Sequence, residues 1–147
     1  MTLEDRLEKL RGFGRLTEAI QIITLMTFGQ YLYGGGAQQL SAKHWQPARD
    51  FFGSYQGVGN CLMFIAFIGL LGLFSSAFTW SARAYPYIMW AYSLSAAAWF
   101  ITVGITHALA RSGSTGLWSL GMAGLWFLTT RIAVQLAAPI HRKEKSA

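Results

Sequence analysis

GNCLMFIAFIGLLGLFSSAFTW, residues 59–80, runs from end to end without a charged side chain. An α-helix needs roughly 20 such residues to cross a hydrocarbon layer about 30 Å thick. Leu62, Met63, Phe64, Ile65, Phe67, Ile68, Leu70, Leu71, Leu73 and Phe74 supply the apolar surface. A segment of this length and composition reads as a transmembrane span.

The same absence recurs along the chain. Lys, Arg, Asp and Glu are missing from 19–42, 51–82, 84–110 and 112–130. Four such intervals within 147 residues leave little room for anything else. Spans are expected at about 16–33, 59–80, 85–109 and 115–137. The predicted fold class is therefore all-α: one integral membrane domain over 1–147, built as a four-helix bundle. Composition agrees, since hydrophobic residues make up 53% and charged residues 12%. The charged share is about half that of an average soluble domain, too little to cover a core this size in water.

The connections carry the remaining pattern. Residues 1–14 read as a short amphipathic helix lying in the headgroup region. Thr2 and Asp5 have the spacing of a capping box, and Leu3, Leu7 and Leu10 share a face opposite Glu4, Asp5, Glu8, Lys9 and Arg11. Gly12 and Gly14 are expected to loosen the backbone into a turn before the first span. That span ends at Gly34–Gly36 and reads as a retained helix rather than a cleaved signal, because the apolar run is long enough to cross. Pro86 suits the first turn of the third span, and Pro139 stops the fourth. Trp45, Ala48, Phe51, Phe52 and Tyr55 recur at helical spacing among Lys43, Arg49 and Asp50. They predict a second interfacial helix in the first loop, with Ser41 as its cap.

Orientation follows from the basic residues in short flanks. Arg6, Lys9, Arg11, Arg15, Arg83, Arg142, Lys143 and Lys145 fall on one side; Lys43, Arg49 and Arg111 fall on the other. Both termini, including the basic tail 138–147, are thus expected in the cytoplasm, with the chain in the plasma (inner) membrane. The net charge of +6 does not point to nucleic acid, because these residues sit at span edges rather than on one folded patch.

Arg131 is the residue that demands a partner. It lies about six residues, roughly 9 Å, inside the last span, where an ionisable group is costly and faces a partner or water. Glu18, Gln21 and Gln135 lie at matching depth if the first and last spans are neighbours, giving an intramembrane polar cluster. A charge pair that fixes helix register outweighs a proton relay, since one pair near the membrane edge is no conduction path. Gly69, Gly72, Ser75, Ser76, Ser93, Ala97, Gly104, Gly121 and Gly124 let helices approach closely. Gln30, Tyr31 and Asn60 could line an outer polar pocket, or equally serve helix–helix hydrogen bonds.

Reactive chemistry is sparse. His44, His107 and His141 lack ligand spacing, so neither a metal nor a cofactor such as haem is expected. Cys61 is the sole cysteine and reads as a small core residue. No nucleophile–base constellation or phosphate-cradling loop is present, so no enzyme is expected. The four-span plan with an outer amphipathic loop is shared by unrelated small membrane families, and no motif selects one. The inventory favours a non-catalytic subunit or modulator of a larger membrane complex, partnered by the bilayer and by another membrane protein or further copies of itself. A holin-like or channel-like oligomer, lined by Thr17, Gln21, Thr24 and Tyr31, is the alternative. A redox subunit ranks last.

Overall fold

The computed structural model describes residues 2–35, 42–78, 83–109 and 114–136, with side chains omitted for 42–45 and 114–120. Five helices appear in the order α1 (Leu3–Tyr33), α2 (Ala42–Phe52), α3 (Tyr55–Ala77), α4 (Tyr85–Leu109) and α5 (Ser114–Leu136). No strand occurs among the described residues. Ser41, the segment 79–82, Arg111, Pro139 and the tail 138–147 lie outside them.

α3 and α4 are long and apolar enough to cross a membrane, with mean hydropathies of 2.1 and 1.5 over their best stretches. α1 and α5 are less apolar, and each brings one buried charge.

The first helix corrects the sequence reading. The interfacial helix 1–14 and the first span are one continuous helix of 31 residues. The Thr2–Asp5 capping box is present, with reciprocal bonds of 2.8 and 3.2 Å. Gly12 and Gly14 do not break the helix. A glycine costs about 1 kcal/mol relative to alanine there, which a long helix packed against neighbours absorbs. Gly14 also has a packing role, because a Cβ at that position would overlap the Val134 side chain of α5. Termination comes where expected. Gly34 donates to the Gln30 carbonyl at 2.9 Å, and Gly35 takes a positive φ of 85°.

α2 forms where a helix lying on the outer leaflet or over the bundle was predicted, and it packs against α3 and α4. Ala48 is fully buried, and the Phe52 ring stacks on Trp99 at 6.3 Å. Gly53, at φ 79°, turns the chain. Ser54 then caps α3 by accepting from the Gly57 amide at 2.9 Å. That cap starts α3 at Tyr55 rather than at the expected Gly59.

α1 lies against α3 and α5, and α4 also lies against α3 and α5. Glycines set the closest approaches. A Cβ on Gly59 would sit 2.6 Å from the Gly29 carbonyl oxygen, so the α1 and α3 backbones nearly touch there. Gly69 admits Ile22 and Tyr92, and Gly72 admits Met89. Between the helices Ile22, Leu25, Leu32, Val58, Leu62, Met89, Tyr92, Val103 and Phe127 form the buried apolar core.

Besides this apolar core, the structure buries two charges and exposes large apolar side chains. Arg131 is 2% exposed and Glu18 1%, whereas Phe64 is 66% exposed and Phe74 64%. Phe67, Leu71, Leu94, Ile101, Ile105, Met122 and Leu125 also point outward.

Candidate functional site

Glu18, Gln21, Thr130 and Arg131, four of the buried polar residues, gather with Tyr85 where α1, α4 and α5 meet. Glu18 stands on the inward face of α1 with Gly14, Gln21, Ile22 and Leu25. Arg131 faces it from α5, with Nη1 donating to Glu18 Oε1 at 3.0 Å. Tyr85, the first residue of α4, completes the arrangement. Its hydroxyl donates to Glu18 Oε2 at 3.0 Å and lies 3.4 Å from Arg131 Nη1. Both carboxylate oxygens are thereby engaged. The Tyr85 ring also lies within 5.2 Å of the Arg131 guanidinium and 5.3 Å of that of Arg15.

One turn further along α1, Gln21 Nε2 donates to the Thr130 hydroxyl at 3.1 Å. Thr130 in turn donates to the Trp126 carbonyl at 2.7 Å. Beyond this layer the interior continues through Leu25, Leu62, Met89, Val103 and Leu32. These polar residues thus form one layer of interactions, next to which the core is apolar.

Three of the four residues expected together do meet: Glu18, Gln21 and Arg131. Gln135 does not. It is exposed and accepts from Trp90 Nε1 on α4 instead. Four residues advance a helix by about 40° beyond one full turn, which carries Gln135 away from α1. Sequence reading missed Arg15, Tyr85 and Thr130. The signal for Tyr85 was its place at the start of a span, level with Glu18.

This geometry fastens three helices to one another. Glu18, the one buried carboxylate among the described residues, accepts from both a guanidinium and a phenol. Removal of either donor should therefore register in stability. Tyr85→Phe is expected to cost about 2 kcal/mol, since it deletes a hydrogen bond to a charged group. Equilibrium unfolding in mixed micelles measures it.

The residues expected on the outer loop are placed less tightly. Arg49 and Asp50 form an ion pair at 2.7 Å, with both side chains substantially exposed. Such a pair contributes little to stability. Asp50 raises the Arg49 pKa further by hydrogen bonding, so this pair has no titration near neutral pH on the arginine side. Arg49 also lies over the Tyr55 ring. Together with Tyr33, Gly35 and Ser54 they border an open cleft of about 830 Å³. Phe51 is 60% exposed, and the Trp45 side chain lies outside the described residues.

Gln30, Tyr31 and Asn60 are exposed and do not border that cleft. The Thr17 and Thr24 hydroxyls donate back to the Phe13 and Ile20 carbonyls of their own helix. His107 is buried, its Nδ1 at 2.7 Å from the Val103 carbonyl. The His44 side chain and His141 lie outside the described residues. Among the described residues no group of three His, Cys, Asp or Glu side chains could hold a metal ion. Cys61 packs half-buried against the core.

Compared with protein-family models, with curated proteins and with solved structures, the chain matches none.

Proposed function

We propose that the chain is an integral membrane four-helix bundle, spanning the plasma membrane with α1, α3, α4 and α5 and keeping both termini in the cytoplasm. Within the membrane it acts as a non-catalytic subunit or modulator of a larger membrane complex. The observation that carries the membrane reading is an apolar outer surface around a buried charge pair. A charged pair and its hydrogen-bonding partners are buried beside an apolar core, while phenylalanines, leucines and isoleucines also cover the outside. In water this outer surface would be a severe aggregation liability; in lipid it is the surface a spanning protein needs. Charges inside spans characteristically face the bundle interior and pair with one another, as Glu18 and Arg131 do.

The distribution of lysine and arginine supports the orientation. It puts the Glu18–Arg131–Tyr85 cluster near the cytoplasmic boundary. Support for a non-catalytic role comes from the same cluster, whose carboxylate ties α1 to α4 and α5 through a bond on each oxygen. The apolar interior beyond Gln21 gives a single copy no polar path across the membrane.

Extraction of an affinity-tagged chain from its native membrane in mild detergent tests the role. The chain should co-purify with a larger membrane protein at fixed stoichiometry, and its overexpression should leave cells impermeable to a small dye. Recovery of the chain only as its own oligomer, with dye entering the cells, would establish the pore-forming alternative instead.

A further inference from the structure

At the edge of the buried Glu18–Arg131 pair stands a second, half-buried guanidinium, that of Arg15. Arg15 and Arg131 both lie against the Tyr85 ring, yet Glu18 is the one carboxylate among them. Arg131 satisfies it at 3.0 Å. Half-buried Arg15 is held by its contact with the ring and by longer-range attraction to Glu18; it makes no hydrogen bond or ion pair to a described residue, and its Nε is buried without an acceptor. Arg131 Nε is buried without one as well. A desolvated guanidinium N–H without an acceptor is costly, and ring stacking fixes its position without supplying an oxygen.

Two further cations stand close in the chain. Arg11 is one helical turn before Arg15 on α1, and Arg83 is two residues before Tyr85 on an exposed turn. On the proposed orientation all of them lie at the inner boundary of the membrane. The anion most concentrated at that level is the phosphodiester of an anionic phospholipid. Its geometry also matches the forked donors of arginine.

Building on the membrane reading above, we infer that Arg15, stacked on Tyr85 and assisted by Arg11 and Arg83, forms a binding site for the headgroup phosphate of an anionic phospholipid in the inner leaflet. Arg15 is the specific element, because it is already oriented and lacks an oxygen partner. Arg11 and Arg83 add field.

Thermal unfolding of the full chain in detergent, with added phosphatidylglycerol, phosphatidylcholine or inorganic phosphate, tests the site. Phosphatidylglycerol should raise the midpoint by several degrees, while the other two leave it unchanged. Arg15→Gln should abolish that rise, and Arg6→Gln, outside the cluster, should retain it. An equal rise in Arg15→Gln, or an equal effect of phosphatidylcholine, overturns the inference. A rise with inorganic phosphate overturns the lipid as its source. Should Arg15→Gln not fold, native mass spectrometry of the wild-type chain after partial delipidation decides. Retained anionic phospholipid supports the site, and its absence overturns it. Failure of the membrane reading would look different: the chain would stay monodisperse without detergent.

Discussion

Glu18→Leu, with Arg131 left in place, should lower the unfolding free energy by about 3–5 kcal/mol, the usual cost of stranding one member of a buried ion pair. Arg131 is 2% exposed and directs Nη1 to Glu18 and Tyr85, so it has no route to solvent without moving α5. Arg131→Leu should cost a similar amount, since it strands the carboxylate. The pair as a whole is a different matter. Two charges in an apolar interior lose much of their attraction to desolvation, and well-packed hydrophobic replacements are often neutral or stabilising. Glu18→Leu combined with Arg131→Leu should therefore recover most of the loss. A residue of about 1–3 kcal/mol should remain, because the Tyr85 hydroxyl is left buried without a partner. Adding Tyr85→Phe should remove that residue too. Equilibrium unfolding in mixed micelles measures all four variants. If the double variant is as unstable as either single one, the pair does more than fasten α1 to α5. If it folds and inserts normally but abolishes the partner complex or any activity, a relay role gains over a structural one.

Gly59→Ala should destabilise the chain by about 1–3 kcal/mol, the range of an overpacked contact. In an ordinary helix the same change stabilises by about 1 kcal/mol. The sign reverses because the new methyl would lie 2.6 Å from the Gly29 carbonyl oxygen and 2.7 Å from the Tyr33 amide nitrogen. Both are backbone atoms, which cannot rotate aside as a side chain would. α1 and α3 must then separate along their crossing, and the burial of Leu32 and Val58 weakens with it. Gly121→Ala is the control. A Cβ there meets nothing within 4 Å, so that variant should be neutral or slightly more stable. Equal stability of both variants would contradict the close α1–α3 crossing.

What was legible in the sequence was whatever depends on a single segment. The helices α3, α4 and α5 follow from intervals without charge. The Thr2–Asp5 cap and the Gly34 stop follow from local backbone chemistry. The reading of Gly12 and Gly14 as a turn failed for the opposite reason. The place of Gly14 is decided by Val134, far away in sequence, and glycine alone is a weak breaker. The Gly29–Gly59 contact was equally hidden, since neither residue belongs to a spaced motif.

The polar cluster was partly legible because charge inside a span is conspicuous. Glu18 and Arg131 identify each other as opposite charges set at matching depth inside the first and last spans. Tyr85 could not be assigned in this way. A tyrosine at a helix start suits an interface as well as an interior, and only the meeting of three helices decides between them. Gln135 was misplaced for want of the same information, because a one-turn spacing leaves a rotation that directs it to Trp90.

The most direct measurement is labelling of single-cysteine variants by a membrane-impermeant thiol reagent, with Cys61 first replaced by alanine. In intact cells Gln56→Cys, at the start of α3, should react, and Thr2→Cys should react only after the membrane is opened. Phe67→Cys, outward-facing in the middle of α3, should stay unmodified in both conditions because lipid covers it. Rapid modification of Phe67→Cys in the absence of detergent, or of Thr2→Cys from outside, would contradict the account.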